Sequence, residues 1–124
     1  MKVILFSKSD YNFSAKLAQI CDLESDQLLF FDNFDSLIKI KDELNVLLIV
    51  DFNDYISNLD FVINSIKGVA NFSTCLLLDK MDSKIQKKVT SIGFDIVMSK
   101  SIFLMNIKTI KNQIKNSINK SQKH

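Results

Sequence analysis

Apolar residues in this chain fall into five short continuous runs: Met1 to Phe6, Gln27 to Phe31, Val46 to Val50, Thr74 to Leu78 and Asp95 to Met98. Runs of this length, rich in Val, Ile and Leu, read as strands, and the central one, Val46 to Val50, reads as a strand buried on both faces. Between them the apolar positions recur every three or four residues, the period of a helix packed on one side. The first predicted helix runs from about Tyr11 to Cys21. It carries Phe13, Leu17, Ile20 and Cys21 on one face, with Ser9 or Asp10 as its cap. A second starts at Asp32-Asn33 with Phe34, Leu37, Ile38 and Leu44. A third starts at Asn53-Asp54 and runs from roughly Tyr55 to Lys67, with Gly68 as a C′ stop. The fourth is capped by Asp82-Ser83, carries Ile85, Val89 and Ile92, and is closed by Gly93. The last leads from Ser101 and places Ile102, Leu104, Ile107, Ile110, Ile114 and Ile118 along one stripe.

Five strands alternating with five helices predict an α/β fold. It is a (βα)5 doubly wound three-layer sandwich around a parallel sheet, since only helices on both faces bury such strands completely. Right-handed crossovers and short connections favour the flavodoxin-like strand order 2-1-3-4-5. Residues 1–118 are expected to form one domain, followed by a polar tail at 119–124 that frays.

Composition narrows the chemistry. The chain has 124 residues and a formal net charge of +2. No apolar run approaches the ~20 residues that cross a bilayer, and no secretory leader is visible, so a cytoplasmic protein is expected. Every basic side chain is lysine. The missing arginine fork and the small charge make nucleic acid an unfavoured partner. With two glycines and no proline, a Gly-rich phosphate loop is excluded. Cys21 and Cys75 are expected to be reduced packing residues, a disulfide being the less favoured alternative. His124 is the single histidine and the last residue, which leaves no internal Ser/His/Asp or Cys/His set and no zinc site.

The predicted strand order creates a site. The crevice of such a sheet lies outside the carboxyl ends of the strands. Asp51, at the end of the central run, is therefore either a site residue or a cap for the next helix. Ser7 and Lys8 follow the first strand, Asp79 the fourth and Lys100 the fifth. The expected cluster is Asp51 in the middle with Ser7, Lys8, Asp79 and Lys100 around it. The alternative is a solvated rim of unrelated loop charges.

Leu47-Leu48-Ile49-Val50-Asp51 and Gly93-Phe94-Asp95-Ile96-Val97-Met98-Ser99-Lys100 resemble two segments of the receiver domain of bacterial response regulators. They are similar to the strand ending in the phosphoacceptor aspartate and to the approach to the receiver lysine. Asp51 and Lys100 lie 49 positions apart, close to the family spacing. The first strand also has the family shape, so the resemblance covers essentially the whole chain. It implies Asp51 as candidate phosphoacceptor and Lys100 as phosphoryl partner. The departures are as specific. Ser7 and Lys8 stand where receivers carry two acidic residues for Mg²⁺. Asp79 stands where they carry Thr or Ser, Val97 replaces the aromatic switch residue, and Ser101 and Tyr55 replace two prolines. Hard Mg²⁺ wants several oxygen ligands, and Asp51, Asp10 and Asn53 are weak candidates. No cofactor is expected, with Mg²⁺ a weak possibility.

These residues point to an atypical, degenerate receiver, a non-enzymatic protein-interaction module outside normal Mg²⁺-dependent phosphorylation. A Lys8–Asp51 ion pair, with Lys100 shared between Asp51 and Asp79, is expected to neutralise the cluster without metal. On that placement, converting Lys8 to Asp and Asp79 to Thr together should restore metal binding. The alternative is a phosphorylatable shuttle or sink in a phosphorelay with a histidine kinase. A reading of another class is a small flavodoxin-like ligand- or nucleic-acid-associated domain. Lys84, Lys87, Lys88, Lys108, Lys111 and Lys115 form a candidate basic face for a protein partner, or for a homodimer through helix 4, strand 5 and helix 5. The plain alternative is a solvated lysine face.

Overall fold

The computed structural model describes residues 1–122, and the side chains of residues 1–116. Five parallel strands are ordered β2-β1-β3-β4-β5, the order expected from the sequence. They are β1 (Lys2–Phe6), β2 (Gln27–Phe30), β3 (Val46–Asp51), β4 (Ser73–Leu78) and β5 (Ile96–Ser99). Pairing in register sets Leu5 beside Ile49, Ile49 beside Cys75 and Cys75 beside Ile96. The strand period of two then sorts side chains to opposite faces. Val3, Leu5, Leu47, Ile49, Cys75 and Leu77 pack on one side beneath α1 (Tyr11–Leu23) and α5 (Lys100–Gln122). Ile4, Phe6, Leu48, Val50, Leu76 and Leu78 pack on the other. That face is covered by α2 (Phe52–Tyr55), α3 (Leu59–Lys67), α4 (Ser83–Thr90) and a 3-10 helix over Asp35–Ile40.

The second predicted helix is corrected by the structure. Only the 3-10 segment forms between β2 and β3, with Leu37 and Ile40 buried. That spacing of three is the period of a 3-10 turn. Ile38 and Leu44, expected on the apolar face, point to solvent. The third predicted helix is two pieces. Asp51 caps the short α2 by accepting from the Asn53 amide at 3.0 Å. The chain breaks at Ser57-Asn58 before α3, and Ile56 and Phe61 are left exposed. Gly68 ends α3 with an ordinary right-handed φ of −66°, so its role there needs no glycine. Gly93, at φ +125°, does, because side chains with a Cβ rarely adopt that conformation.

Asp10 caps α1 through the Phe13 amide at 3.0 Å, and Asp82 caps α4 through Lys84 and Ile85. The last helix starts at Lys100, one residue earlier than expected, with Ser99 Oγ accepting from the Ile102 amide at 3.3 Å. Phe103, absent from the predicted stripe, is buried with Ile107, Ile110 and Ile114, whereas Ile102 is exposed. The helix continues through Asn119–Gln122 of the predicted tail. His124 and the side chain of Ile118 lie outside the described residues. Both cysteines are free and buried. Burial pushes the Cys21 thiol up to about 11 and that of Cys75 higher still, so neither is a ready nucleophile. No helix among the described residues is long and apolar enough to cross a membrane.

Candidate functional site

The carboxyl ends of β1, β3, β4 and β5 bring a charged cluster together around Lys100. The lysine is positioned by the step from β5 into α5, which turns its side chain across the sheet end. Its Nζ lies 2.8 Å from Asp51 Oδ2, 2.8 Å from Asp10 Oδ2 and 2.7 Å from Asp79 Oδ1. It also sits 5.8 Å from the centre of the Phe13 ring, a distance at which a cation is attracted to the ring face. Burial works against the charged ammonium. Hydrogen bonds to Asp10, Asp51 and Asp79 more than offset it and raise its pKa. The Lys100 ammonium in turn holds the Asp10 carboxyl below its ordinary range, helped by the Phe13 amide.

Asp51 is 2% exposed. Its Oδ1 accepts from the Asn53 amide, and its Oδ2 accepts from Lys100 and is 3.3 Å from Ser7 Oγ. Asp10 divides its oxygens between the Phe13 amide and Lys100. Asp79 divides its own between Lys100 and the Asn53 side-chain amide. Each of the six oxygens in these three carboxylates thus has a donor from the protein. Asp51 is thus a helix cap through one oxygen and a member of the charged cluster through the other.

Lys8 is the principal correction. It makes no pair with Asp51; its Nζ lies 4.9 Å from the centre of the Tyr55 ring, on an exposed side chain. The cause is Asp54, which sequence reasoning missed as a site residue. Asp54 accepts from the Lys8 amide at 2.6 Å and from Ser9 Oγ at 2.8 Å, and lies 3.3 Å from Ser7 Oγ. Pinned by its backbone, the β1–α1 loop turns the Lys8 side chain away from the cluster. Burial opposes ionisation of Asp54, but these donors outweigh it and its pKa is lowered. The sequence signal was present: Asp54 sits three positions after Asp51, facing a loop that carries two serines. Asp54→Ala should leave these donors without their acceptor and cost about 1–2 kcal/mol. Faster amide exchange in the β1–α1 loop, with β3 unchanged, is the signature; unchanged exchange at Lys8 would refute the latch.

The basic face is also redrawn. Lys111, placed with Lys108 and Lys115 on a solvent stripe, is 6% exposed and ion-paired with the buried Asp26 carboxylate. The Met1 amine lies 3.3 Å from the other Asp26 oxygen. Lys108 is exposed and pairs with Glu24 at 3.0 Å, and Lys115 is partly buried. Lys84, Lys87 and Lys88 remain exposed on α4.

Among the described residues, no group of three His, Cys, Asp or Glu side chains is arranged to hold a metal ion. Mg²⁺ needs near-octahedral oxygen coordination at about 2.0–2.1 Å. At the point where Asp10, Asp51 and Asp79 converge, the ammonium of Lys100 stands instead, so these residues do not fit the ion while Lys100 is in place. Three carboxylates against one ammonium also leave the rim with net negative charge.

No family model and no curated protein matches the sequence. The fold does match solved structures. The chain is similar to a response regulator from Hahella chejuensis, with a TM-score of 0.62 and 20% identity over 96% of this chain and 93% of that one. It is also similar to a putative pilus assembly protein from Sinorhizobium meliloti, with a TM-score of 0.59 and 10% identity over 87% and 98% of the respective chains. The strand order, the helices on both faces and these structural relatives agree: the chain has the fold of a response-regulator receiver domain.

Proposed function

We propose that the protein is an atypical receiver, a non-enzymatic signalling module that works by binding a protein partner rather than through Mg²⁺-dependent phosphorylation of Asp51. The carrying observation is the state of Asp51: 2% exposed, with both oxygens engaged by protein donors. Phosphoryl transfer needs an aligned nucleophilic oxygen and cationic charge on the transferring group. In this cluster the oxygen is spent on a helix cap and an ion pair, and the nearest cation is already shared among three carboxylates. The signalling role itself rests on the likeness to a response regulator.

A second reading keeps Asp51 as phosphoacceptor. It is favoured by the 2.8 Å contact between Asp51 and Lys100, the pair that the receiver resemblance implies. An amide NMR titration of the whole chain with Mg²⁺, then with beryllofluoride as acyl-phosphate mimic, separates the two. The expected result is no shift at Asp51, Asp79 or Lys100 at millimolar Mg²⁺. Shifts centred on those residues would establish the phosphorylatable reading and retire the first.

A further inference from the structure

A groove of about 520 Å³ opens between α2, α3 and α4. Its walls include Phe52, Ile56 and Phe61 on one side and Ile85, Val89 and Ile92 on the other. Ile56 is 57% and Phe61 66% exposed, an apolar surface left by the break between α2 and α3. Along α4, Lys84 and Lys88 are four residues apart and share one helix face, with Lys88 reaching the groove. None of the ion pairs found among the described residues involves Lys84, Lys87 or Lys88. The opposite wall carries Asp60, so the charge of the groove is lopsided: basic along α4, acidic at the start of α3.

We propose that this groove receives an amphipathic helix of a partner protein, apolar on the face that enters and acidic along the single flank that meets α4. The inference rests on the interaction-module reading above and gives that partner its chemistry. A helix laid in an apolar groove is anchored by side chains at i, i+3, i+4 and i+7. The apolar walls supply the anchorage, the α4 lysines attract the acidic flank, and Asp60 repels it if the helix is turned over, which fixes direction. Phe52 in the groove directly follows Asp51, and Asp51 caps the short helix that carries it. Occupancy is therefore in contact with the element that the Lys100 cluster holds.

The test uses the whole chain and a synthetic helix of about 15 residues, long enough to be marginally helical alone. It carries leucines at the four anchor positions and glutamates along one flank; a second peptide has lysines in place of the glutamates. In an amide NMR titration, shifts should cluster at Ile56, Phe61, Ile85 and Val89. Affinity should fall at least tenfold in Lys84→Glu/Lys88→Glu and at least tenfold in Phe61→Ser, all exposed positions. The lysine-flanked peptide should bind at least tenfold more weakly. Equal binding of the two peptides, indifference to the α4 double variant, or no shift in the groove overturns the proposal. Shifts on the α4–β5–α5 face would overturn the groove and leave the interaction-module reading standing. A beryllofluoride response at Asp51 would do the reverse.

Discussion

Lys100→Met is expected to destabilise the protein by about 3 kcal/mol at neutral pH, the range for removing one partner of a buried ion pair, and to create divalent-cation binding. The lower end of that range applies because the Asp79 side chain is 58% exposed, so water takes over part of its solvation. Asp51 has no such relief, since its side chain is 3% exposed. Without the ammonium, three carboxylates are left facing one another with no compensating charge, and hard divalent cations take carboxylate oxygens as ligands. Millimolar Ca²⁺ or Mg²⁺ should then raise the melting temperature of the variant and leave the parent unchanged, as expected when a ligand binds the folded state alone.

The pH dependence of the same variant has a definite sign. In the parent, the pKa of Lys100 is raised, so its contribution is complete below the ordinary lysine value and is lost only as pH climbs through the higher folded value. The pKa of Asp10 is lowered from 3.8, so its contribution is present above that value and is lost as pH falls through the lower folded one. The parent should therefore be insensitive to pH between about 5 and 7. In Lys100→Met the Asp10 carboxyl loses the ammonium that holds it low and is left facing like charges, which pushes its pKa up. The variant should gain stability as pH falls from about 7 to about 5, where the parent stays level. Urea unfolding at both pH values decides the point. A loss below about 1 kcal/mol, with no response to divalent ions, would mean that Lys100 is not the cation the cluster is built on.

Lys111→Met should cost about 3 kcal/mol as well, for a different reason. The Asp26 carboxylate is 4% exposed and Lys111 is its side-chain partner. Methionine fills similar volume but leaves that charge to the Met1 amine alone. The additional change Asp26→Asn should recover part of the loss, and the resulting double-mutant cycle measures the coupling. Lys108→Ala is the control: that side chain is 74% exposed, and an exposed pair contributes at most about 1 kcal/mol. Equal effects at 108 and 111 would restore the view of both lysines as one solvated stripe.

The contrast between those two lysines shows where sequence reading succeeds and fails. The central strand was legible because a buried parallel strand is a continuous apolar run, as in Val46 to Val50. Asp51, Asp79 and Lys100 were legible because each follows such a run. Of the two cap candidates, Ser9 and Asp10, the structure takes Asp10, but its second oxygen, on Lys100, depends on how α1 and α5 approach, which no local pattern records. Lys8 was misplaced because charge was counted and the backbone of its loop was not; Asp54 holds that backbone. The segment after β2 was misread because Phe34, Leu37 and Ile38 satisfy a helical period, while Leu37 and Ile40 satisfy the 3-10 period that the structure adopts. Lys111 sits at the edge of the α5 stripe, where one residue of rotation separates solvent from the core.

The 3-10 segment also determines how the molecule opens. β2 is hydrogen-bonded to β1 alone and roofed on one face by a single short turn. β1, β3 and β4 each have strands on both sides. Partial opening is cheapest where few apolar contacts and few neighbouring hydrogen bonds must break together, so β2 and the segment after it form the least cooperative part of the fold. Asp51 stands on β3, in the interior of the sheet, and Lys100 follows β5, the edge opposite to β2. The charged cluster therefore keeps its geometry while the far edge of the sheet breathes.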